Sequence, residues 1–120
     1  MGSRVTSIYD MASTVRFGYV FVAKNKDKIV GAIIGSKTSK NECYIEDFLV
    51  DKKYQGQGIG TKIYKKLFSE VGTLPIIAFV SPKYKTSLHI HKNLGFKILK
   101  KIKDPYAQGK NEYRYLLRKT

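Results

Sequence analysis

Residues 52–67, KKYQGQGIGTKIYKKL, place three glycines at alternate positions immediately before an amphipathic helical pattern. The β-rich run IEDFLV precedes them, so the stretch predicts a strand, a turn and a helix. The first N–H groups of a helix have no partner within it and bind anions. Gly56, Gly58 and Gly60 lack the Cβ atoms that would hinder an approaching phosphate, and they tolerate unusual backbone angles. The stretch therefore predicts a phosphate-binding turn.

The spacing of these glycines separates the turn from two well-known phosphate loops. A dinucleotide-binding loop has the pattern G-x-G-x-x-G, and the phosphate-binding loop of nucleoside triphosphatases has the pattern G-x-x-x-x-G-K-[ST]. Here G-x-G-x-G is followed by Thr61 and Lys62 in the reverse order. A tight strand-to-helix connection without a ligand is the alternative interpretation.

The hydrophobic pattern around this turn predicts the order of the elements. Before it, polar segments separate three β-rich runs, which favours an antiparallel meander. After it, one apolar helical face ends at Gly72, a typical C-cap. A second helix is predicted between Pro82 and Gly95. The predicted strands are residues 19–23, 29–35, 43–50, 75–81, 96–103 and 112–119.

This order predicts an α+β fold, an α/β sandwich whose mixed, mostly antiparallel central sheet is flanked by helices. A length of 120 residues favours one domain, 1–120. No apolar run approaches the roughly 20 residues of a membrane helix, and the start lacks the apolar centre of a secretory signal. With Cys43 as its one cysteine, the chain is expected in a reducing cytoplasm.

Charge is the strongest compositional signal. The chain has 23 Lys and Arg against 9 Asp and Glu, a formal net charge of +14. Such a protein is expected to meet an acidic partner, and nucleic acid, an anionic surface and a phosphate-rich small molecule are the candidates. We predict no metal site.

The glycine stretch also resembles a known family. VDKKYQGQGIGTKIYKKL, residues 50–67, is similar to the acyl-CoA-binding signature of the GNAT superfamily of N-acetyltransferases, [RQ]-x-x-G-x-[GA], with Gln55, Gly58 and Gly60 at its defined positions. The order of elements and the end of the second helix, NLGF at 93–96, match that family as well. The resemblance implies an acetyl-CoA-dependent N-acetyltransferase with a GNAT-like fold.

The resemblance further implies how acetyl-CoA binds. Leu49 and Val50 would pair with the pantetheine arm, and the thioester would lie in a splay between this strand and residues 75–81. Lys62, Lys65 and Lys92 either contact the outer phosphates or are surface charges. Backbone amides of the turn would bind the pyrophosphate: Gln55, Gly56, Gln57, Gly58, Ile59, Gly60 and Thr61.

An amine that attacks a thioester needs a base. With a pKa near 10.4, only about one alkylamine in 2,500 is neutral at pH 7. The strand YIEDFLV resembles that of spermidine/spermine N-acetyltransferases, whose glutamate acts as base through water, so Glu46 is the predicted base. Glu46 and Asp47 face opposite sides of a regular strand unless a bulge redirects one. The alternative is that both carboxylates pair with nearby lysines.

The family's proton donor to the departing thiolate is a tyrosine five residues before the phenylalanine of GF, where this sequence has His91. Histidine can donate when protonated. His91 also shares a helical face with Leu88 and Leu94, which favours a core histidine equally well. Tyr84 stands where the family usually has an asparagine.

The N-terminal part departs from the family, which usually has a strand and two helices before the first hairpin. About eighteen residues precede Tyr19, enough for one short helix such as SIYDMASTV, residues 7–15. An abbreviated acceptor side would suit a protein amine, require a homodimer partner or signal lost activity.

Three functions follow in order. The first is an N-acetyltransferase acting on a small-molecule or protein amine. The second is a non-catalytic acetyl-CoA-binding module. The third, a nucleic-acid-binding protein, is less favoured because the arginines are not clustered and no helix has a continuous basic face.

Overall fold

The structure is a computed structural model that describes residues 7–10 and 18–120. These residues form one mixed sheet of seven strands, two α-helices and a 3-10 turn at Lys52–Tyr54. The helices are α1 (Ile59–Val71) and α2 (Lys85–Asn93). The strands are β1 (Ser7–Asp10), β2 (Gly18–Asn25), β3 (Lys28–Lys37), β4 (Cys43–Val50), β5 (Ile76–Val80), β6 (Lys97–Lys103) and β7 (Tyr113–Lys119).

The strands lie in the order β1-β2-β3-β4-β5-β7-β6. Every neighbouring pair is antiparallel except β4 and β5, which run parallel because α1 crosses over between them. The predicted α+β fold with a mixed, mostly antiparallel sheet is thus confirmed. No helix in the described ranges is long and apolar enough to span a membrane.

The core lies between one face of the sheet and the two helices. Ile63 and Leu67 of α1 are fully buried among strand residues such as Phe21, Ile33 and Leu117. The helix α2 lies beside α1 on the same face, because His91 contacts Tyr64. The predicted C-cap is present at Gly72, which has a φ of +64° and donates its N–H to the Phe68 carbonyl.

Most strand boundaries differ from the sequence prediction by one or two residues, and the two larger differences lie before β2 and at the start of α2. Residues 7–10 form a strand that pairs with β2 rather than the start of a helix, and the rest of that predicted helix lies outside the described residues. Hydrogen bonds to β2 satisfy backbone N–H and C=O groups of residues 7–10, many of which would stay unpaired in a short isolated helix. The second helix begins at Lys85 instead of at Pro82, because a turn closed by the N–H of Tyr84 on the Ser81 carbonyl (3.1 Å) comes first.

Candidate functional site: a glycine turn, a cleft and a strand splay

The glycine turn places free backbone donors at the start of α1. Gly56 and Gly58 have φ of +80° and +79°, which favour glycine, and an added Cβ at either would meet no atom within 4 Å. The N–H of Lys62 makes the first turn's hydrogen bond to the Gly58 carbonyl (3.0 Å). The N–H groups of residues 59–61 therefore have no acceptor within the helix and are available to an anion.

The third glycine serves packing. A Cβ at Gly60 would lie 2.9 Å from Cζ of Phe48 and 3.6 Å from Cδ1 of Ile90. Phe48 is itself held against Tyr64, with ring centroids 4.7 Å apart. Gly60 thus lets α1 lie close to β4, which fixes the distance between the helix N-terminus and the strand end.

We expect Gly60→Ala to lower the free energy of unfolding by about 1 kcal/mol. Overpacking a filled core costs about 1–3 kcal/mol, and the higher helix propensity of alanine offsets up to about 1 kcal/mol of that. Urea denaturation measures the difference. Ser69→Ala, on the exposed side of the same helix, is the control and should change the value by less than about 0.5 kcal/mol; equal stability of the two variants would refute the packing role.

The end of β4 is held by Gln55. Its side-chain amide donates to the carbonyl of Val50 (3.1 Å), whereas the amide of Gln57 reaches the Lys53 carbonyl at 3.5 Å. Leu49 is half exposed beside this contact. Gln55 therefore links the glycine turn to the strand end, a role that the spacing of the motif alone does not reveal.

A cleft of about 720 Å³ runs from the glycine turn to the start of α2. It brings together eight of the nine residues predicted to bind acetyl-CoA: Leu49, Val50, Gln55, Gly56, Gly58, Ile59, Gly60 and Thr61. Gln57 is the predicted residue that does not line it. The volume falls in the range of small-molecule and cofactor sites.

The opposite wall of the cleft holds Tyr84 and two lysines that the sequence reasoning missed. Lys83 and Lys85 line it with Tyr84 between them, and the Tyr84 side chain is 62% exposed. The three lysines considered from the sequence, at 62, 65 and 92, do not line it. The sequence signal that could have identified these lysines is the run PKYK, residues 82–85, at the N-terminal end of the second helix. Anions are favoured at this end of a helix.

The parallel strands β4 and β5 separate after a short contact. They pair at Cys43 with Ile76 and at Tyr44 with Ile77, and no further pairing between them is recorded although β4 continues to Val50. Past Tyr44, this edge of β4 faces an opening instead of a strand. Unpaired backbone groups of such an edge are suited to bind an extended amide-containing ligand.

A β-bulge lies at this opening. Ile34 pairs with Asp47 and Gly35 pairs with Ile45, which leaves Glu46 without an opposite residue on β3. Because of the bulge, Ile45 and Phe48 both pack on the core face although they are three positions apart. Glu46 and Asp47 are both exposed, and neither takes part in the ion pairs found among the described residues. The alternative interpretation, in which both carboxylates pair with nearby lysines, is not seen in the part of the chain that the structure describes.

Aromatic side chains surround the opening near Glu46. Tyr44 packs edge-on against Phe79 (centroids 6.1 Å apart), and Phe79 packs against Tyr106 (5.8 Å). Burial, the neighbouring Tyr106 and the charge of Glu46 raise the pKa of Tyr44 to about 12, although nearby Arg114 lowers it. The Tyr44 phenol therefore stays neutral at physiological pH.

His91 is a buried member of the core. It is 2% exposed, and its Nδ1 donates to the Ser87 carbonyl (2.7 Å) because a carbonyl can only accept. Its Nε2 lies 2.6 Å from the Tyr64 hydroxyl. Burial lowers the pKa of His91, which outweighs the raising effect of the Ser87 bond, so the ring is neutral and Nε2 accepts from Tyr64. His91 does not line the cleft, and its surroundings favour the structural alternative noted from the sequence.

The burial of His91 predicts that the protein becomes less stable at acidic pH. The folded-state pKa of His91 lies below the value of about 6.5 expected when unfolded. The unfolded chain then binds more protons in that window, so the free energy of unfolding should fall as pH decreases from 6.5 towards the lowered pKa. Urea denaturation at several pH values measures this. His91→Gln should weaken the dependence, whereas His89→Gln, on an exposed residue, should retain it; an unchanged slope in His91→Gln would contradict the prediction.

Cys43 is fully buried, and burial raises the pKa of its thiol to about 11. Because the thiolate is the nucleophilic form, this cysteine is inert at neutral pH and behaves as a small buried hydrophobic residue. The described residues contain no group of three or more metal-binding side chains close together.

Comparisons with known proteins point to one family. Residues 4–96 match the model of the acetyltransferase (GNAT) family. The chain is 26% identical over 106 residues to N-alpha-acetyltransferase 30 of Schizosaccharomyces pombe, which covers 82% of this chain and 71% of that protein.

Solved structures show the same fold. A GNAT family acetyltransferase from Elizabethkingia anophelis with acetyl-CoA bound has a TM-score of 0.76 at 15% identity, covering 94% of this chain and 96% of that chain. Arabidopsis thaliana Naa50 in complex with the bisubstrate analogue CoA-Ac-MVNAL has a TM-score of 0.70 at 24% identity, covering 84% and 72%. The predicted family and co-substrate are confirmed: the chain belongs to the acetyltransferase (GNAT) family, as an acetyl-CoA-dependent N-acetyltransferase.

Proposed function

We propose that residues 1–120 act as a single domain that transfers the acetyl group directly from acetyl-CoA to a primary amine in the splay between β4 and β5. The neutral amine nitrogen attacks the thioester carbonyl carbon, and the carbon–sulfur bond then breaks. The proton of the amine passes through a water molecule to the Glu46 carboxylate. The coenzyme A thiolate leaves and takes a proton from solvent.

The bulged strand beside the splay is the observation that carries this proposal. The bulge leaves Glu46 exposed and unpaired at the opening, in a chain whose cations greatly outnumber its anions. A carboxylate that forms none of the ion pairs found among the described residues remains available to accept a proton. General-base assistance is worth about 10²–10⁴-fold, and positioning of the two substrates adds to it.

Acetyl-CoA binding in this proposal uses the cleft from end to end. The amides of residues 59–61 and the glycine turn hold the pyrophosphate, and the β4 edge at Leu49 and Val50 pairs with the pantetheine arm. Lys83 and Lys85 add charge attraction for the outer phosphates. The acetyl end then lies where β4 and β5 separate.

His91 has no proton-transfer role in the proposal, because its ring is neutral, buried and already hydrogen-bonded. A thiol has an ordinary pKa of about 8.5 and leaves without a strong acid. The same observation favours the second candidate, a module that binds acetyl-CoA without catalysis. Turnover with an amine separates the two candidates.

A protein α-amino group is the acceptor to test first. The chain is similar to an N-alpha-acetyltransferase, and the structure of Naa50 holds an analogue that joins CoA to a peptide. An α-amine has a pKa of about 7.7–8.0, so its neutral fraction at pH 7 is a few hundred times that of a lysine side chain. A net charge of +14 disfavours polyamines. The proposed location of the reaction is the cytoplasm, where both substrates and a reduced Cys43 would be present.

Release of the coenzyme A thiol tests the proposal directly. Purified protein and acetyl-CoA are incubated with a peptide bearing a free N-terminus, with the same peptide blocked at its N-terminus but containing lysine, and with spermidine. Calorimetric titration of acetyl-CoA runs in parallel. Thiol release matched by amide formation supports the enzyme. Binding without turnover on any amine supports the module, and absence of binding contradicts both.

A further inference from the structure

The last two strands and their connection, residues 97–119, form a hairpin at one edge of the sheet, which we call the terminal hairpin. Its outer strand β6 has the sequence KILKKIK and lies at the end of the strand order formed by the described residues. Six of its seven residues are exposed, and Leu99 is 53% exposed at a bulge between Ile98 and Lys100. This edge is accessible from both faces.

The terminal hairpin concentrates positive charge. It contains eight cationic residues and two acidic ones, a difference of +6: Lys97, Lys100, Lys101, Lys103, Lys110, Arg114, Arg118 and Lys119 against Asp104 and Glu112. Asp104 is engaged by the N–H groups of Gln108 and Gly109. Among the ion pairs of the described residues, only that between Arg118 and Glu42 involves the hairpin. Most of its charge is not neutralised within the molecule.

Two exposed tyrosines of the terminal hairpin pack against its cations. The Lys101 ammonium lies 4.9 Å from the ring centroid of Tyr113, which is 44% exposed. The Arg114 guanidinium lies 5.2 Å from the ring centroid of Tyr106, which is 41% exposed. Exposed rings beside cations are the combination on which nucleic-acid bases stack while the phosphates meet positive charge.

Other occupants fit this surface less well. A second copy of the chain pairing along β6 would bring lysines opposite lysines, which prevents edge-to-edge association. An anionic membrane would attract these lysines, but stable anchoring also needs inserted apolar side chains, and β6 offers only Ile98, Leu99 and Ile102 between its four lysines. Acetyl-CoA has its own cleft, to which no residue of the terminal hairpin contributes.

We propose that the terminal hairpin binds single-stranded nucleic acid, with phosphates along the β6 lysines and a base stacked on Tyr113. The absence of a basic helix, which disfavoured this partner from the sequence, does not apply because the basic surface is a pair of strands. Binding is sequence-tolerant, since phosphate and stacking contacts carry little base information. The β6 lysines do not line the acetyl-CoA cleft, so both ligands can bind at the same time.

Fluorescence anisotropy with a labelled 20-nucleotide oligouridylate tests this proposal. Three proteins are compared over a range of salt: wild type, Lys100→Gln/Lys101→Gln/Lys103→Gln, and the charge-matched control Lys37→Gln/Lys40→Gln/Lys65→Gln on exposed lysines elsewhere. The hairpin triple variant should bind at least 10-fold more weakly. Its slope of log affinity against log salt should be shallower by about 2, since each single-strand phosphate contact contributes about 0.7. The control should bind within about twofold of wild type.

Two further measurements complete the test. Tyr113→Ala should weaken binding about fivefold or more while Tyr113→Phe does not, because stacking needs the ring and not the hydroxyl. Saturating acetyl-CoA should leave the oligonucleotide bound, and the hairpin triple variant should retain its acetyl-CoA affinity in calorimetry. Equal losses in the two triple variants, displacement by acetyl-CoA, or lysine-dependent binding to phosphatidylserine vesicles without oligonucleotide binding would each overturn the proposal.

Discussion

Replacing Glu46 by glutamine is expected to lower kcat by about 10²–10⁴-fold at pH 7 while leaving acetyl-CoA binding unchanged. The substitution preserves the shape of the side chain at the bulge but removes its ability to accept a proton from the attacking amine. The bulge, the splay and the acetyl-CoA cleft are retained, because the Glu46 side chain is exposed and makes no recorded ion pair in the described residues. Thiol release with the best amine of the panel gives kcat, and calorimetry gives the affinity for acetyl-CoA.

The neighbouring carboxylate supplies a matched control. Asp47 is as exposed as Glu46 but has an opposite residue, Ile34, in the register of the sheet. Asp47→Asn removes the same charge from the same strand and should change kcat less than threefold. If Glu46→Gln kept the wild-type kcat, or if Asp47→Asn lost as much, the assignment of the base would be wrong.

The variant Gly58→Glu should weaken acetyl-CoA binding by about 100-fold or more. A carboxylate placed about 4–5 Å from a bound pyrophosphate opposes it by roughly 3–4 kcal/mol at an effective dielectric constant near 20. The side chain also occupies the open space that an added Cβ meets at the turn, and the φ of +79° strains any residue other than glycine. Calorimetric titration of acetyl-CoA into both proteins measures the loss.

The variant Gly109→Glu is the control that separates the effect of a carboxylate at the glycine turn from the effects of backbone strain and added charge elsewhere. Gly109 also has a positive φ, +71°, and open space around its Cβ direction, but it lies in the β6–β7 connection and not in the cleft. The variant gains the same charge and similar backbone strain, and it should bind acetyl-CoA as wild type does. Similar affinities for the two variants would mean that the glycine turn is not the pyrophosphate site.

Within the site, the sequence predicted those features that depend only on residues close together in the chain. Gly56 and Gly58 adopt the positive φ that their spacing indicated, and the predicted helix begins directly after them. Gly60 belongs to the same pattern but acts through contact with Phe48, a residue twelve positions away. The family signature includes this glycine, but its physical role depends on how closely α1 lies on β4.

From β2 onward, sequence alone determined the order of strands and helices, the glycine turn and the buried helical face, because each follows from backbone preferences and hydrophobic periodicity over a few residues. It left open which way Glu46 faces and whether His91 reaches the cleft. The first depends on a bulge set by the register of β4 against β3, and the second on how α2 packs beside Tyr64. Both are relations between distant segments of the chain, so only the tertiary structure decides that Glu46 lies exposed at the splay and His91 lies in the core.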